Sequence, residues 1–261
     1  MPAIGSGRDA VAWARRWWRA LLGEVLATAL LVLLGVISLL PHGGRPAPLA
    51  HPAMAFGFVV LANVQVFGPV SGAHMNPAVT LAALVHGQLS AALAAGYALA
   101  QVAGALIGFG ALVALAPAAA LEDWGGCTKP AAGVSAVAAA AMEAVLTGLL
   151  ALLCCAVWTA HDPARPDPSV PIKLGLTVAG LVYAGGYISD TGINPARSFA
   201  PAVFQNFWKD HWVYWVGPLG GALAAALLHR LVLAPPAPRT RATDPPPPER
   251  LPLHSKPDLQ P

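Results

Sequence analysis

Between Arg45 and Glu122 the sequence contains no Lys, Arg, Asp or Glu. A bilayer span needs only about 20 apolar residues, so a charge-free stretch of this length is long enough to cross a membrane more than once. The rest of the chain agrees: only 10% of it is charged, where a soluble domain carries about a quarter, and 56% is hydrophobic. The expected class is an all-α, multi-pass membrane protein.

Six spans are expected near 18–40, 51–68, 91–116, 137–160, 172–189 and 212–233. Two further apolar segments, 77–86 and 195–204, are too short to cross and each opens with Asn-Pro. The first run is too long for the core of a cleaved signal peptide and reads as a retained anchor. The basic residues are sorted by loop. Arg8, Arg15, Arg16 and Arg19 precede the first apolar run, which begins near residue 20, Arg165 and Lys173 flank the loop near 160–173, and Arg230, Arg239, Arg241, Arg250 and Lys256 follow the last apolar run. With six spans, the positive-inside rule puts both termini in the cytoplasm, and the net charge of +3 is no nucleic-acid signal. Residues 1–17 form a cytoplasmic segment, 18–233 the membrane domain, and 234–261 a Pro-rich tail, with Pro245 to Pro248 in a row. That composition favours a solvated or polyproline II tail; an adaptor ligand is the alternative.

The membrane domain repeats. Glu24 in "GEVLATALL" is followed by "SGAHMNPAVT", and Glu143 in "MEAVLTGLL" by "DTGINPARS". Asn76 lies as far beyond Glu24 as Asn194 lies beyond Glu143, to within one residue. Repeat one covers about 18–116 and repeat two about 137–233. Each holds three spans and a short segment, and because three is odd the two copies have opposite topology. Inverted repeats with interrupted segments at matching positions point to a transport site at the membrane midplane.

Asn is a strong helix N-cap and Pro is favoured at the first helical position. Asn76-Pro77-Ala78 and Asn194-Pro195-Ala196 therefore each start a half-helix of about ten residues, roughly 15 Å long. Two such helices entering from opposite faces cover the roughly 30 Å hydrocarbon core, with their partly positive N-termini meeting midway to oppose cations. Asn side-chain NH2 groups facing the lumen would donate to a passing water. Glu24 and Glu143 lie inside apolar spans, where a carboxylate is costly. They read as acceptors for backbone N–H groups of the re-entrant loops, with a proton relay as the rival. Gln65 and Gln101 read as similar hydrogen-bonding residues. Arg197 sits in the first turn of its half-helix, where a cation opposes the dipole. It reads as a pore-lining donor, or else as a partner of Asp190 or Asp210. Gly104 and Gly108, and Gly217 and Gly221, are spaced for close helix contact, within the bundle or between subunits. Cys127, Cys154 and Cys155 make no disulfide framework, and the adjacent pair reads as packing rather than metal binding. His51, His161 and His211 sit near span ends, where interfacial hydrogen bonding accounts for them.

On these motifs, 18–233 resembles the major intrinsic protein family of aquaporins and aquaglyceroporins. The resemblance implies six transmembrane helices plus two re-entrant half-helices, a passive pore, and a homotetramer with one pore per subunit in the plasma membrane. It implies a filter of Phe56, Val182, Thr191 and Arg197. It also implies pore acceptors at the carbonyls of Gly72, Ala73 and His74 and of Thr191, Gly192 and Ile193, with His74 lining the cytoplasmic half. Partners are water, small neutral solutes and the lipid bilayer. No cofactor, metal or nucleic acid is expected, and no catalytic motif argues for an enzyme.

Water-selective members usually carry His where this chain has Val182, as some arthropod-type, glycerol-permeable members do not. By resemblance the change widens the filter toward glycerol or urea. Ala202, Tyr214, Trp215 and Ser198 instead resemble the orthodox water channels. The expectation is a water channel that also passes small neutral solutes and rejects ions and protons. The alternatives are a strict water channel, or an ion channel or junctional protein on the same scaffold. Thr191 stands where mercury-sensitive members have Cys.

Overall fold

A computed structural model describes residues 7–41, 44–123 and 125–235. Both ends of the expected flanking segments, 1–6 and 236–261, lie outside the described residues. Eight α-helices follow in order among those described: α1 Gly7–Ile37, α2 Ala50–Ser71, α3 Pro77–His86, α4 Ala91–Leu115, α5 Ala136–Ala160, α6 Val170–Ser189, α7 Pro195–Gln205 and α8 Val213–Leu228. A 3-10 turn, Ala118–Leu121, follows α4, and a π turn, His229–Leu233, extends α8. Six of the helices are long and apolar enough to span a membrane. Outward apolar stripes such as Leu22, Leu26, Leu30 and Leu34 suit lipid rather than water.

The two short segments are half-helices as expected, of 10 and 11 residues. The first helix begins well before residue 18. Charge ends an apolar run but not a helix, and Trp13 and Trp17 continue the buried face of α1 by packing against Ala20, Leu93 and Tyr97. Likewise α2 runs through Pro69 to Ser71 before Gly72, at φ 89°, closes it with an N–H bond to the Gly68 carbonyl.

The repeat is visible in the packing. The pairing of α1 with α4 is matched by α5 with α8, and α1 with α2 by α5 with α6. Each half-helix also crosses over: α3 packs against α8 of the other half, and α7 against α4. Both outer pairs rest on glycine. A Cβ on Gly104 or Gly108 would collide with the Val25 or Ala29 carbonyl of α1, and one on Gly217 or Gly221 with the Ala140 or Ala144 carbonyl of α5. Of the two roles left open for these glycines, the one realised is packing inside the bundle. The seam between halves is α2 on α6, where Gly57 and Gly175 face each other's backbone.

Candidate functional site

The half-helices start at the expected residues, by the expected chemistry. Asn76 Oδ1 accepts from the Ala78 N–H at 2.8 Å, and Asn194 Oδ1 from Ala196 at 3.0 Å and Arg197 at 3.3 Å. Proline occupies the first turn of both, where its missing N–H would have no intrahelical partner.

Each Asn also reaches into the other repeat. Asn76 Nδ2 donates to the Ile193 carbonyl at 2.8 Å, and Asn194 Nδ2 to the Met75 carbonyl at 2.7 Å. The acceptors are the residues just before the opposite Asn, so the two N-termini are cross-tied. One hydrogen of each NH2 is therefore committed to protein, and one remains. Reading each motif alone could not reveal this, because the acceptor belongs to the other copy.

The loops leading into the half-helices have matching backbones. Gly72, Ala73 and Met75 have φ of 89°, 50° and 54°, and Asp190, Thr191 and Ile193 have 61°, 49° and 41°. For non-glycine residues this left-handed conformation costs about 1–2 kcal/mol each. The buried carboxylates hold it in place. Glu24 accepts from Ser71 Oγ at 2.6 Å, the His74 N–H at 2.9 Å, and the Met75 N–H and Gln101 Nε2 at 2.8 Å each. Glu143 accepts from Ser189 Oγ at 2.7 Å and from the Gly192 and Ile193 N–H groups. Both side chains are fully buried, and each spends its oxygens on the donors of its own loop.

Sequence reading missed several members of this frame. Tyr97 and Tyr214 donate to the Ser71 and Ser189 carbonyls at 2.7 and 2.9 Å, one tyrosine per repeat. Asn63 donates to the Ala27 carbonyl and contacts Met75 Sδ. Aligning the two halves residue by residue would have flagged the tyrosines; nothing local marks Asn63. Gln101 bridges Glu24 and Thr80, but Gln65 is exposed on α2 and takes no part. His74 is buried, with its Nδ1 3.2 Å from Thr80 Oγ1 and its ring against Tyr97 and Trp158.

Arg197 is 3% exposed and forms no salt bridge among the described residues. Asp190 instead accepts from the Lys129 N–H, which removes the surface-pair reading. The guanidinium donates through Nη1 to the Gly126 carbonyl at 2.8 Å and lies 5.6 Å from the Phe56 ring centroid. Gly126 belongs to the loop between α4 and α5. That loop is tied to the ends of α6 and α7 through Ala131 to the Ile188 carbonyl and through Gln205 to Leu121. Phe56, Val182 and Ile193 share one apolar cluster, and Thr191 is buried at its end of the loop. Arg197 and Phe56 meet directly, and Val182 is a buried aliphatic side chain of the same cluster as Phe56.

The family resemblance is borne out by comparison. The sequence model described as "Major intrinsic protein" matches residues 12–229. The chain is 40% identical over 220 residues to the lens fiber major intrinsic protein of Gallus gallus, covering 84% of this chain and 83% of that one. It is 38% identical over 225 residues to aquaporin-5 of Sus scrofa (83% and 82% covered), and 36% identical over 230 to aquaporin-4 of Mus musculus (85% and 70%). The fold superposes on the aquaglyceroporin of Plasmodium falciparum with a TM-score of 0.70 at 22% identity, covering 83% of this chain and 97% of that chain. Sharing that fold, the family model and these curated relatives, the chain belongs to the major intrinsic protein family: it is a multi-pass membrane channel for water or small solutes, and not an enzyme.

Proposed function

We propose that the pore conducts water passively, rejects protons and ions at the crossed Asn pair, and also passes small neutral solutes such as glycerol or urea. The crossed pair is the observation that carries this reading. It sets two helix N-termini, each worth about half a positive charge, at the start of α3 and α7 with one amide hydrogen apiece for water. A passing water's oxygen is held by those donors, and a cation meets repulsion from both sides.

The size limit falls to Phe56, Val182, Thr191 and Arg197. Burying a guanidinium with no salt bridge among the described residues is expensive, and stability does not explain it. A donor and cation barrier at the narrow point does. Val182 sets an aliphatic side chain beside it, which supports passage of solutes larger than water. The carbonyls of Gly72, Ala73, His74, Thr191, Gly192 and Ile193 supply acceptors along the path, with Ile193 already sharing one lone pair with Asn76. The working form is a homotetramer in the plasma membrane, with both termini in the cytoplasm.

The test is osmotic shrinkage of liposomes carrying the protein, in gradients of sucrose, glycerol and urea, beside Val182→His. Wild type should pass water far above empty liposomes and pass glycerol or urea faster than the variant. Exclusion of both solutes as complete as in the variant refutes the widened filter and leaves a strict water channel. No water flux from folded protein refutes the pore itself.

A further inference from the structure

Three side chains that the pore does not use converge at the C-terminal end of α3. One ligand atom each from His86, Cys155 and His229 lies within 4.8 Å of the others. They come from three elements distant in sequence: the last turn of α3, the C-terminal part of α5, and the first residue of the π turn after α8. Sequence alone assigns Cys155 to packing, and nothing there links it to either histidine. From this geometry we infer that the three form a binding site for a borderline divalent cation of the Zn2+ class.

The donor set decides the class. Two imidazoles and a thiol suit Zn2+ and its neighbours, whereas Mg2+ and Ca2+ need oxygen ligands, and no carboxylate belongs to the group. Three protein ligands leave a fourth tetrahedral position for water. A second observation points the same way. His229 is 5% exposed, yet its Nδ1 is buried with no hydrogen-bond partner, so that ring nitrogen can take a ligand without breaking a bond. His86 is oriented from both sides, by Thr159 Oγ1 at 3.1 Å from Nε2 and by Gln88 Nε2 at 3.0 Å from Nδ1. Ligation through Nδ1 replaces the Gln88 contact and keeps the Nε2–H donation to Thr159 Oγ1, the usual support for a metal-bound imidazole.

The electrostatics are mixed. The C-terminal end of α3 carries the negative end of its dipole and favours a cation. Arg230, which donates to the Val85 carbonyl at 2.8 Å, opposes one. The thiol deprotonates on binding and offsets part of the incoming charge. His86 is only partly buried and provides the way in from the aqueous face. The site lies outside the filter and does not depend on the solute range proposed above.

Co2+ is the probe, added to the purified full-length protein in detergent. A thiolate-to-Co2+ absorption band should appear and be displaced by Zn2+. It should vanish in Cys155→Ser, persist in Cys154→Ser, and require at least tenfold more Co2+ in His86→Gln or His229→Gln. His86→Gln alters a partly exposed side chain and keeps the test usable if a buried variant fails to fold, as read by gel filtration. Absence of the band in wild type, or its survival unchanged in folded Cys155→Ser or His86→Gln, overturns the site.

Discussion

Glu143→Gln tests the carboxylate frame most directly, because the native geometry gives its size. Glu143 accepts three donors: the Ser189 hydroxyl and the Gly192 and Ile193 N–H groups. Glutamine keeps one acceptor oxygen, which can take Ser189 and Gly192. Its NH2 then faces the Ile193 N–H, so two buried donors lack an acceptor, at about 1–3 kcal/mol each. The two remaining bonds lose their charge assistance, roughly another 1 kcal/mol each. Even the low end is about 4 kcal/mol, or about 1000-fold in the local opening equilibrium at 1.36 kcal/mol per tenfold. The positive φ of Asp190, Thr191 and Ile193 adds strain that opening relieves.

Hydrogen exchange read by mass spectrometry over 189–194 measures this opening. Protection in that peptide should fall about 1000-fold in the variant, with α5 and α8 unchanged and water flux reduced. The matching change in the first repeat, Glu24→Gln, should be of similar size. If the Gln101 amide turns to accept from the new NH2, its own NH2 moves to the buried position where Oε1 has no partner, so that group and the Met75 N–H are two buried donors without an acceptor. A fall below tenfold in Glu143→Gln refutes the frame, and unchanged protection over 71–76 in Glu24→Gln refutes its counterpart in the first repeat.

Gly221→Ala drives a Cβ into the Ala144 carbonyl, whereas Gly180 has nothing within 4 Å of the same position. Thermal melting should show Gly221→Ala destabilised by about 1–3 kcal/mol or more and Gly180→Ala unchanged or slightly stabilised. Mercury should not block the pore through residue 191, and Thr191→Cys should create a block that thiol reductant reverses. A wild-type block abolished by changing Thr191 would contradict this. Burial holds the His211 imidazole below its ordinary 6.5. On acidification the unfolded chain therefore takes up this proton first, and His211's contribution to stability is complete above 6.5 and falls as pH drops below it. Melts between about pH 7 and about pH 5 should show a loss that His211→Gln reduces; equal losses in both proteins refute it.

The sequence exposes what a single stretch of chain can decide. A half-helix at Pro77–His86 follows from Asn76-Pro77 and an apolar run, and its N-cap bond needs no partner elsewhere. Charge patterning locates bilayer crossings, but α1 extends to Gly7 because Trp13 and Trp17 find a neighbour in α4, a contact that patterning does not encode. The site divides the same way. Asn76, Asn194, Glu24 and Glu143 are conspicuous because a polar group in an apolar span needs a reason. Their partners are backbone groups, and a backbone carbonyl has no signature: Gly126 could not be chosen in advance as the acceptor for Arg197. The repeat itself held more than was read from it. Matching the halves by their hydrogen bonds and backbones pairs Ser71 with Ser189, Tyr97 with Tyr214, and the positive-φ residues 72, 73 and 75 with 190, 191 and 193, and these matches build the frame. The halves differ where the first supplies His74 and Gln101 and the second supplies Arg197. On the proposed function, selectivity is carried by departures from the repeat, on a frame that the repeat builds twice.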